Sequence, residues 1–368
     1  MKLKCNKHAL NEAISNVSKA VAVKSTITAL EGIKVTLTNS RLVLTGYDLE
    51  IGIKTEFEVE SSDSGEFIVN SRLFNDIVRK MPDENIEIEI ADNLAVTIKS
   101  GMTEYTISAM TAQEYPSIPE IDDCDSFIIS QEILKNMINQ TSFAVSTNDT
   151  KPILTGELFE IEDGIFNLVA IDGYRLAVRT EKIRADKNFK FVVPGKALNE
   201  VSKLLKDDSE KECTVHVSKK HIIFEISGYL VISRLLEGEF HNYKGSVPQS
   251  SSIEVIVSSK ELIESLERAS LLINDRIKSP VKCIFSSDSL KISCSTTIGR
   301  ISDVIDIDLS GNSIEIGFNN KYLLDPLKNI EDDKVKLLMN GANLPLKIVP
   351  LSGDAYTFLV LPVRLKND

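Results

Sequence analysis

Leu154-Thr155-Gly156-Glu157-Leu158-Phe159-Glu160-Ile161-Glu162-Asp163-Gly164 runs on through Ile165 to Ile171. Asp172-Gly173-Tyr174-Arg175-Leu176-Ala177-Val178-Arg179 follows. Two Asp-Gly pairs separate three apolar runs, and Asp-Gly is a strong tight-turn signal, so the stretch predicts an antiparallel meander. An echo lies at Ile33 to Thr55, where Leu42-Val43-Leu44-Thr45-Gly46-Tyr47-Asp48-Leu49-Glu50 follows the same pattern. Asp48 and Asp172 are 124 residues apart. Such an echo points to a chain built from copies of one unit.

Three copies align. Each opens with a short strand and an amphipathic helix. Lys2 to Cys5 precedes a helix near 7–20 with Leu10, Ala13, Ile14 and Val17 at helical spacing. Ser126 to Ser130 precedes Ile133, Leu134, Met137 and Ile138, and Ile253 to Val257 precedes Leu262, Ile263, Leu266 and Ala269. A second strand-helix pair recurs at Phe67 to Asp83, Phe191 to Asp207 and Ile316 to Ile330. Pro326 departs from that pattern and predicts a helix that kinks or starts late, because proline inside a helix lacks an amide donor. The remaining apolar runs read as strands. Linkers fall at Tyr115-Pro116-Ser117-Ile118-Pro119 and Val247-Pro248-Gln249-Ser250-Ser251-Ser252. The expected organisation is α+β, with units at 1–120, 126–248 and 252–368. Each unit carries about eight antiparallel strands and two helices on one sheet face.

No apolar run approaches the roughly 20 residues of a membrane span. Met1-Lys2-Leu3-Lys4-Cys5 lacks a signal core, so a cytoplasmic protein is expected. Five cysteines without a Cys-x-x-Cys pair predict reduced, mostly packed thiols. Four scattered histidines give no zinc pattern, and no metal or cofactor is expected. Phosphate-loop spacing and Gly-x-Ser-x-Gly are both lacking. The acidic pairs Asp122-Asp123, Asp207-Asp208 and Asp332-Asp333 read as solvated turn carboxylates, and Asp48 and Asp172 as turn residues. No enzyme is expected.

The formal net charge is −12, which argues mildly against nucleic acid. Its distribution is uneven. The segments 7–20, 72–80, 131–142, 196–206, 259–272 and 321–329 hold 13 Lys/Arg against 8 Asp/Glu. Lysine is a good helix former, so solvated helix faces account for this as well as a phosphate-facing surface does.

The triplication resembles the bacterial sliding clamp, the β subunit of DNA polymerase III. The residues that carry the likeness are Ile171-Asp172-Gly173-Tyr174-Arg175-Leu176, Glu237-Gly238-Glu239-Phe240-His241-Asn242-Tyr243, Gly317-Phe318-Asn319 and Leu361-Pro362-Val363-Arg364-Leu365. The likeness runs from Met1 to Leu365, and only Lys366-Asn367-Asp368 extends past it. It implies a head-to-tail homodimer, a six-unit ring around duplex DNA with helices inside. Such a ring is acidic outside and basic within, and it tethers a polymerase without catalysis. Two readings compete: an enzyme with a cleft between repeated domains, which turnover would favour, and a repeat scaffold that binds proteins only.

The resemblance also implies sites. Leu154, Gly156, Ile171, Gly173, Tyr174, Arg175 and Leu176, with His241 nearby, line one side of a peptide groove. Asn319, Tyr322, Asn343, Pro345, Leu359, Val360, Leu361, Pro362, Val363 and Arg364 form the other side. The implied ligand is a motif of five or six residues with Gln and a Leu/Phe end, carried by polymerase, clamp loader and repair proteins. Ile171 stands where a small hydroxyl residue is frequent and Tyr174 where His is frequent, so the pocket should be more apolar. Strand alternation predicts that half of Leu359 to Val363 is core. Candidate DNA contacts, without sequence preference, are Lys24, Arg72, Arg79, Lys80, Lys135, Asn148, Lys196 and Lys203. Ring closure is expected between the strand edges Tyr105 to Met110 and about Thr297 to Asp303, with Ile107, Leu271 and Leu272 apolar. Glu104 and Arg300 reverse the usual charge order there and are expected to approach each other.

Overall fold

The structure is a computed structural model that describes residues 1–119, 123–148, 150–273 and 279–365. Asp122 of the acidic linker, Asp149 of the Asn148 to Lys151 loop, and Lys366-Asn367-Asp368 lie outside the described residues. Within them, each repeat supplies eight strands and two α-helices, as the periodicity predicts. The helices are α1 (Lys7–Val17), α2 (Ser71–Lys80), α3 (Gln131–Thr141), α4 (Gly195–Leu204), α5 (Ser259–Ser270) and α6 (Asn320–Lys328). None is long and apolar enough to cross a membrane.

Capping places the helix starts. The side chain of Asn6 accepts the amides of His8 and Ala9, Asn70 that of Leu73, and Ser258 that of Glu261. Apolar stripes then bury one face, Leu10, Ala13, Ile14 and Val17 in α1 and Leu262, Leu266 and Ala269 in α5. α6 does not start late. Asn319 caps it, and the helix runs on through Pro326. At the C-terminus of the helix the Asn329 side chain donates to the Asp325 carbonyl at 2.8 Å.

Contacts divide the chain into two compact units that cut across its repeats: Met1–Glu132 with Glu200–Leu235, and Ile133–Asn199 with Leu236–Asp368. The first holds a four-stranded sheet, in which Thr103–Ser108 is an edge strand, and an eight-stranded sheet. The eight strands become continuous where Ile51–Glu58 pairs with Tyr229–Arg234. A twelve-stranded sheet runs through the second unit, joined where Arg175–Lys182 pairs with Tyr356–Val360. All pairings are antiparallel. The core of this unit contains Val255, Leu266, Phe285, Phe318, Leu327 and Phe358. The five cysteines are free thiols, four of them buried, and burial pushes Cys5 and Cys213 up to about 12.

The meander takes the expected form: Gly156–Glu162, Ile165–Ile171 and Arg175–Lys182. Asp163 and Gly164 at the first turn both adopt positive φ, 51° and 77°, as a two-residue hairpin of this kind requires.

Candidate functional site: an apolar cleft with a tyrosine wall

The second compact unit contains a cleft of about 450 Å³. Its floor follows from strand alternation. Leu176 and Leu359 are cross-strand partners. Both join the cluster of Leu158, Val169, Val178 and Phe240 on the cleft side of the sheet. The intervening residues Phe358 and Val360 belong to the large core on the opposite face. Val360 is therefore core. Ile171 and Leu154 pack against the cleft cluster, and Ile153 joins them from a short 3-10 turn at Pro152–Thr155.

The wall is a turn built by one carboxylate. Asp172 Oδ1 accepts the amides of Tyr174 and Arg175 at 2.9 and 3.1 Å. Gly173 takes φ +92° between them. The turn projects Tyr174, whose side chain leaves the residue 60% exposed. Its carbonyl accepts the Leu361 amide at 2.9 Å, and its ring stacks on Tyr322 of α6 with centroids 5.9 Å apart. Burial pushes the Tyr322 phenol up, with Asp172 adding to the shift.

Arg175 is not a free polar anchor. Its Nε donates to Asp172 Oδ2 at 2.9 Å and its Nη1 to Asp325 Oδ2 at 2.6 Å, with the side chain 9% exposed. Both carboxylates occupy the guanidinium, so Arg175 braces the cleft rather than reaching into it. The segment that adds Glu239, His241 and Ser246 to the lining is held by Tyr243, whose hydroxyl donates to Glu160 at 2.7 Å. Burial alone would raise the Glu160 pKa, but hydrogen bonds from Lys244, Tyr243 and Lys190 outweigh it and lower the value. This anchored segment carries His241 and Ser246, whose Nε2 and Oγ lie 3.2 Å apart.

Of the residues expected at the groove, Leu154, Ile171, Gly173, Tyr174, Arg175, Leu176, His241, Pro345, Leu359 and Leu361 line the cleft. Tyr322 stands behind Tyr174, and Asn343 is exposed two residues before Pro345. Gly156 is buried in its strand, where a Cβ would come 2.4 Å from the Val193 carbonyl oxygen. Asn319 serves as the α6 cap. Past Leu361, the Val363 amide donates to the Gly317 carbonyl at 2.8 Å, which leads Pro362, Val363 and Arg364 along the strand Ile314–Phe318. Lys151, Ile153, Glu239 and Ser246 also line the cleft and were not foreseen. Glu239 sits inside a quoted motif, and Ile153 adjoins Leu154, so adjacency was the available signal.

The other candidates are distributed differently. Lys24, Arg72, Lys80, Asn148 and Lys196 are exposed and Lys135 is half-buried, whereas Arg79 and Lys203 are each held at 2.7 Å by Asp76 and Glu200 of their own helices. Thr103–Ser108, slightly earlier than expected, pairs among the described residues on one side only, with Ala95–Ser100. Gly299–Ser310 is longer than expected. It pairs with Ser289–Thr296 across 299–306, and its other side meets Ile253–Ser258 only across 307–310. Among the described residues, 299–306 therefore has one open edge. Leu271 is 80% exposed, Ile298 61% and Val304 58%, while Leu272 and Ile107 are half-buried. Glu104 is bonded to Lys99 on the adjacent strand at 3.0 Å, and Arg300 is exposed.

Comparison with known proteins covers the whole chain. The family models described as the N-terminal, central and C-terminal domains of the DNA polymerase III beta subunit match residues 1–119, 128–242 and 244–364. The chain is 34% identical to the beta sliding clamp of Bacillus subtilis, over 99% of this chain and 100% of that one. The crystal structure of the DNA polymerase sliding clamp from Bacillus subtilis superposes with a TM-score of 0.95, covering 100% of both chains. A DNA polymerase III beta subunit from Thermotoga maritima superposes at 0.92, with 28% identity over 99% of this chain and 100% of that one. The chain belongs to the bacterial DNA polymerase III β-subunit family, the β sliding clamps.

Proposed function

We propose that two copies of this chain close head to tail into a ring around duplex DNA in the cytoplasm, and that the ring tethers the replicative polymerase without catalysing any reaction. The observation that carries this reading is the end-to-end match to sliding clamps, with three domain models falling on three sequence repeats. Two open strand edges support ring closure, because unpaired edges add strands from a second chain. The apolar residues Leu271, Leu272, Ile298 and Val304 supply area at one of them, with Ile107 at the other. Glu104 meets Arg300 at the rim, in exchange with Lys99; such a pair contributes only about 0–1 kcal/mol.

The exposed cations Lys24, Arg72, Lys80 and Lys196, with Lys135 and Asn148, contact phosphate loosely and without reading sequence. The cleft takes the short Gln-containing, Leu/Phe-ended motif of polymerase, clamp loader and repair proteins, one site per chain. Its apolar floor and few polar rim groups are what such a peptide needs. Topology gives the test. Loaded onto a closed circular plasmid, the protein should stay associated through high salt and leave when the plasmid is cut once. Equal retention on linear DNA would sink the ring, and association with neither form would favour a scaffold that binds proteins only.

A further inference from the structure

Asp325 lies outside the cleft, on α6, one helical turn beyond Tyr322, so the two side chains share a face of that helix. Arg175 meets both. Its Nη1 donates to Asp325 Oδ2 at 2.6 Å, and its guanidinium carbon lies 4.5 Å from the centroid of the Tyr322 ring and 5.5 Å from that of Phe143. The other edge of the fork, Nε, holds Asp172 Oδ2. One planar cation thus ties the turn that carries Tyr174 to the helix face that carries Tyr322. Tyr174 in turn rests its exposed ring on Tyr322.

We infer that Asp325 is a positioning residue for ligand in the cleft, acting through Arg175 and Tyr322 to hold the Tyr174 ring as a fixed wall. The inference rests on the peptide reading of the cleft. Asp172 alone fixes one end of the guanidinium and leaves its plane free to swing. The second carboxylate fixes the plane, and the plane is the platform under Tyr322. A wall held in place before binding spares the ligand the ordering cost. Without Asp325, Tyr174 keeps its backbone bonds to Asp172 and Leu361 but loses the support beneath its ring.

A double-mutant cycle separates this role from a general structural one. The probe is a synthetic hexapeptide that carries Gln and ends in Leu-Phe, titrated against the full chain. Asp325→Asn should weaken binding about tenfold, the size of coupling between residues in one network. Its melting temperature should fall by a few degrees, since one of the two carboxylates on Arg175 is lost, while the binding loss persists well below the melting transition. In a Tyr174→Ala background the same change should do nothing further, and Asp325→Glu should restore part of the affinity. If Asp325→Asn folds poorly, Tyr322→Leu, which spares both ion pairs, should reproduce the loss. Wild-type affinity in Asp325→Asn overturns the inference while the cleft reading stands. An equal loss with and without the Tyr174 ring overturns the route through Tyr174. A wild-type chain that does not bind the hexapeptide overturns the cleft reading and this inference together.

Discussion

Asp48 and Asp172 build the same turn in two repeats. Asp48 Oδ1 accepts the amides of Glu50 and Ile51 at 3.0 and 2.8 Å, and Asp172 Oδ1 accepts those of Tyr174 and Arg175 at 2.9 and 3.1 Å. The backbone follows: Leu49 takes φ +77° where Gly173 takes φ +92°. A left-handed conformation costs a residue with a Cβ about 1–2 kcal/mol. Leu49→Gly should therefore stabilise the chain in denaturant unfolding, and Gly173→Ala should destabilise it by about 1 kcal/mol. A Cβ at Gly173 meets no atom within 4 Å, so crowding adds nothing to that cost. A lower midpoint for Leu49→Gly would contradict the equivalence.

Removing the two carboxylates should have unequal effects. Asp48→Ala loses the two hydrogen bonds of its turn, about 1–2 kcal/mol. Asp172→Ala also takes one partner from the nearly buried Arg175 and should cost about 3–5 kcal/mol. Urea unfolding of the two variants checks the order.

Glu157 should make stability depend on pH. Burial pushes its carboxyl up to about 8, against the pull of the Thr141 hydroxyl. Thr141 Oγ1 also lies 2.8 Å from the Met137 carbonyl, and it has one proton to give. A neutral Glu157 that donates to Thr141 satisfies both groups, whereas an ionised one leaves the carbonyl or the carboxylate wanting. The folded pKa lies above the unfolded value, so the unfolded chain releases its proton first as pH rises. Stability then falls between about pH 4.5 and pH 8 and levels off above. Glu157→Gln should remove this component, so its advantage over wild type should grow from pH 5 to pH 8. Parallel unfolding curves for the two proteins across that range would show that Glu157 stays ionised.

The repeat and its strand count were legible because apolar periodicity and Asp-Gly turns are local signals, and three copies reinforced each other. Helix positions were legible through apolar spacing, while the Asn6, Asn70 and Ser258 caps that set their starts were not read. α6 does not start late as Pro326 suggested, since Asn319 caps it at Asn320. Alternation predicted that half of Leu359 to Val363 is core, but both Leu359 and Val360 were expected in the groove, and only Leu359 lines it while Val360 joins the core. The role of Arg175 was not legible, because its partners are 3 and 150 positions away, and only the three-dimensional fold brings Asp325 to it. For the same reason Ile298 and Val304 were missed, since exposure at an open edge leaves no periodic trace. That the compact units cut across the repeats depends on which strands pair between copies, which no single copy encodes.

Binding to short linear duplexes should weaken steeply with salt, because each phosphate contact releases counterions. Arg72→Ala and Lys80→Ala should each reduce the slope of log affinity against log salt by about 1. Arg79→Ala and Lys203→Ala should reduce it less, since Asp76 and Glu200 already hold those cations. Equal slopes for all four variants would remove the distinction, and a sequence-dependent affinity would argue against phosphate contact altogether.

Leu271→Asp and Leu272→Asp should each yield monomers in sedimentation, because a carboxylate would be desolvated where apolar area is expected to close the ring. Leu272 also lies over the edge strand, where a Cβ on Gly299 would meet its Cδ2 at 3.4 Å. Glu104→Ala should leave the dimer mass unchanged, as a rim charge contributes little. A Leu272→Asp protein that sediments as a dimer would place the contact elsewhere.

Deleting Pro362 to Asp368 should separate ring from cleft. Leu361 remains, and with it the amide that holds the Tyr174 carbonyl. What goes is the segment fastened by Val363 to Gly317, a position where a Cβ would come 2.7 Å from both Leu365 Cδ2 and the Val363 carbonyl oxygen. Gly317→Ala should therefore dislodge the same segment without shortening the chain. Both variants should keep the dimer mass of wild type, because neither touches Thr103–Ser108 or 299–306. Both should lose affinity for the Gln-containing hexapeptide, the deletion more than Gly317→Ala. Undiminished affinity in the deletion would put the peptide on Leu176, Leu359 and Tyr174 alone. A loss of dimer mass in either variant would tie the tail to ring closure instead.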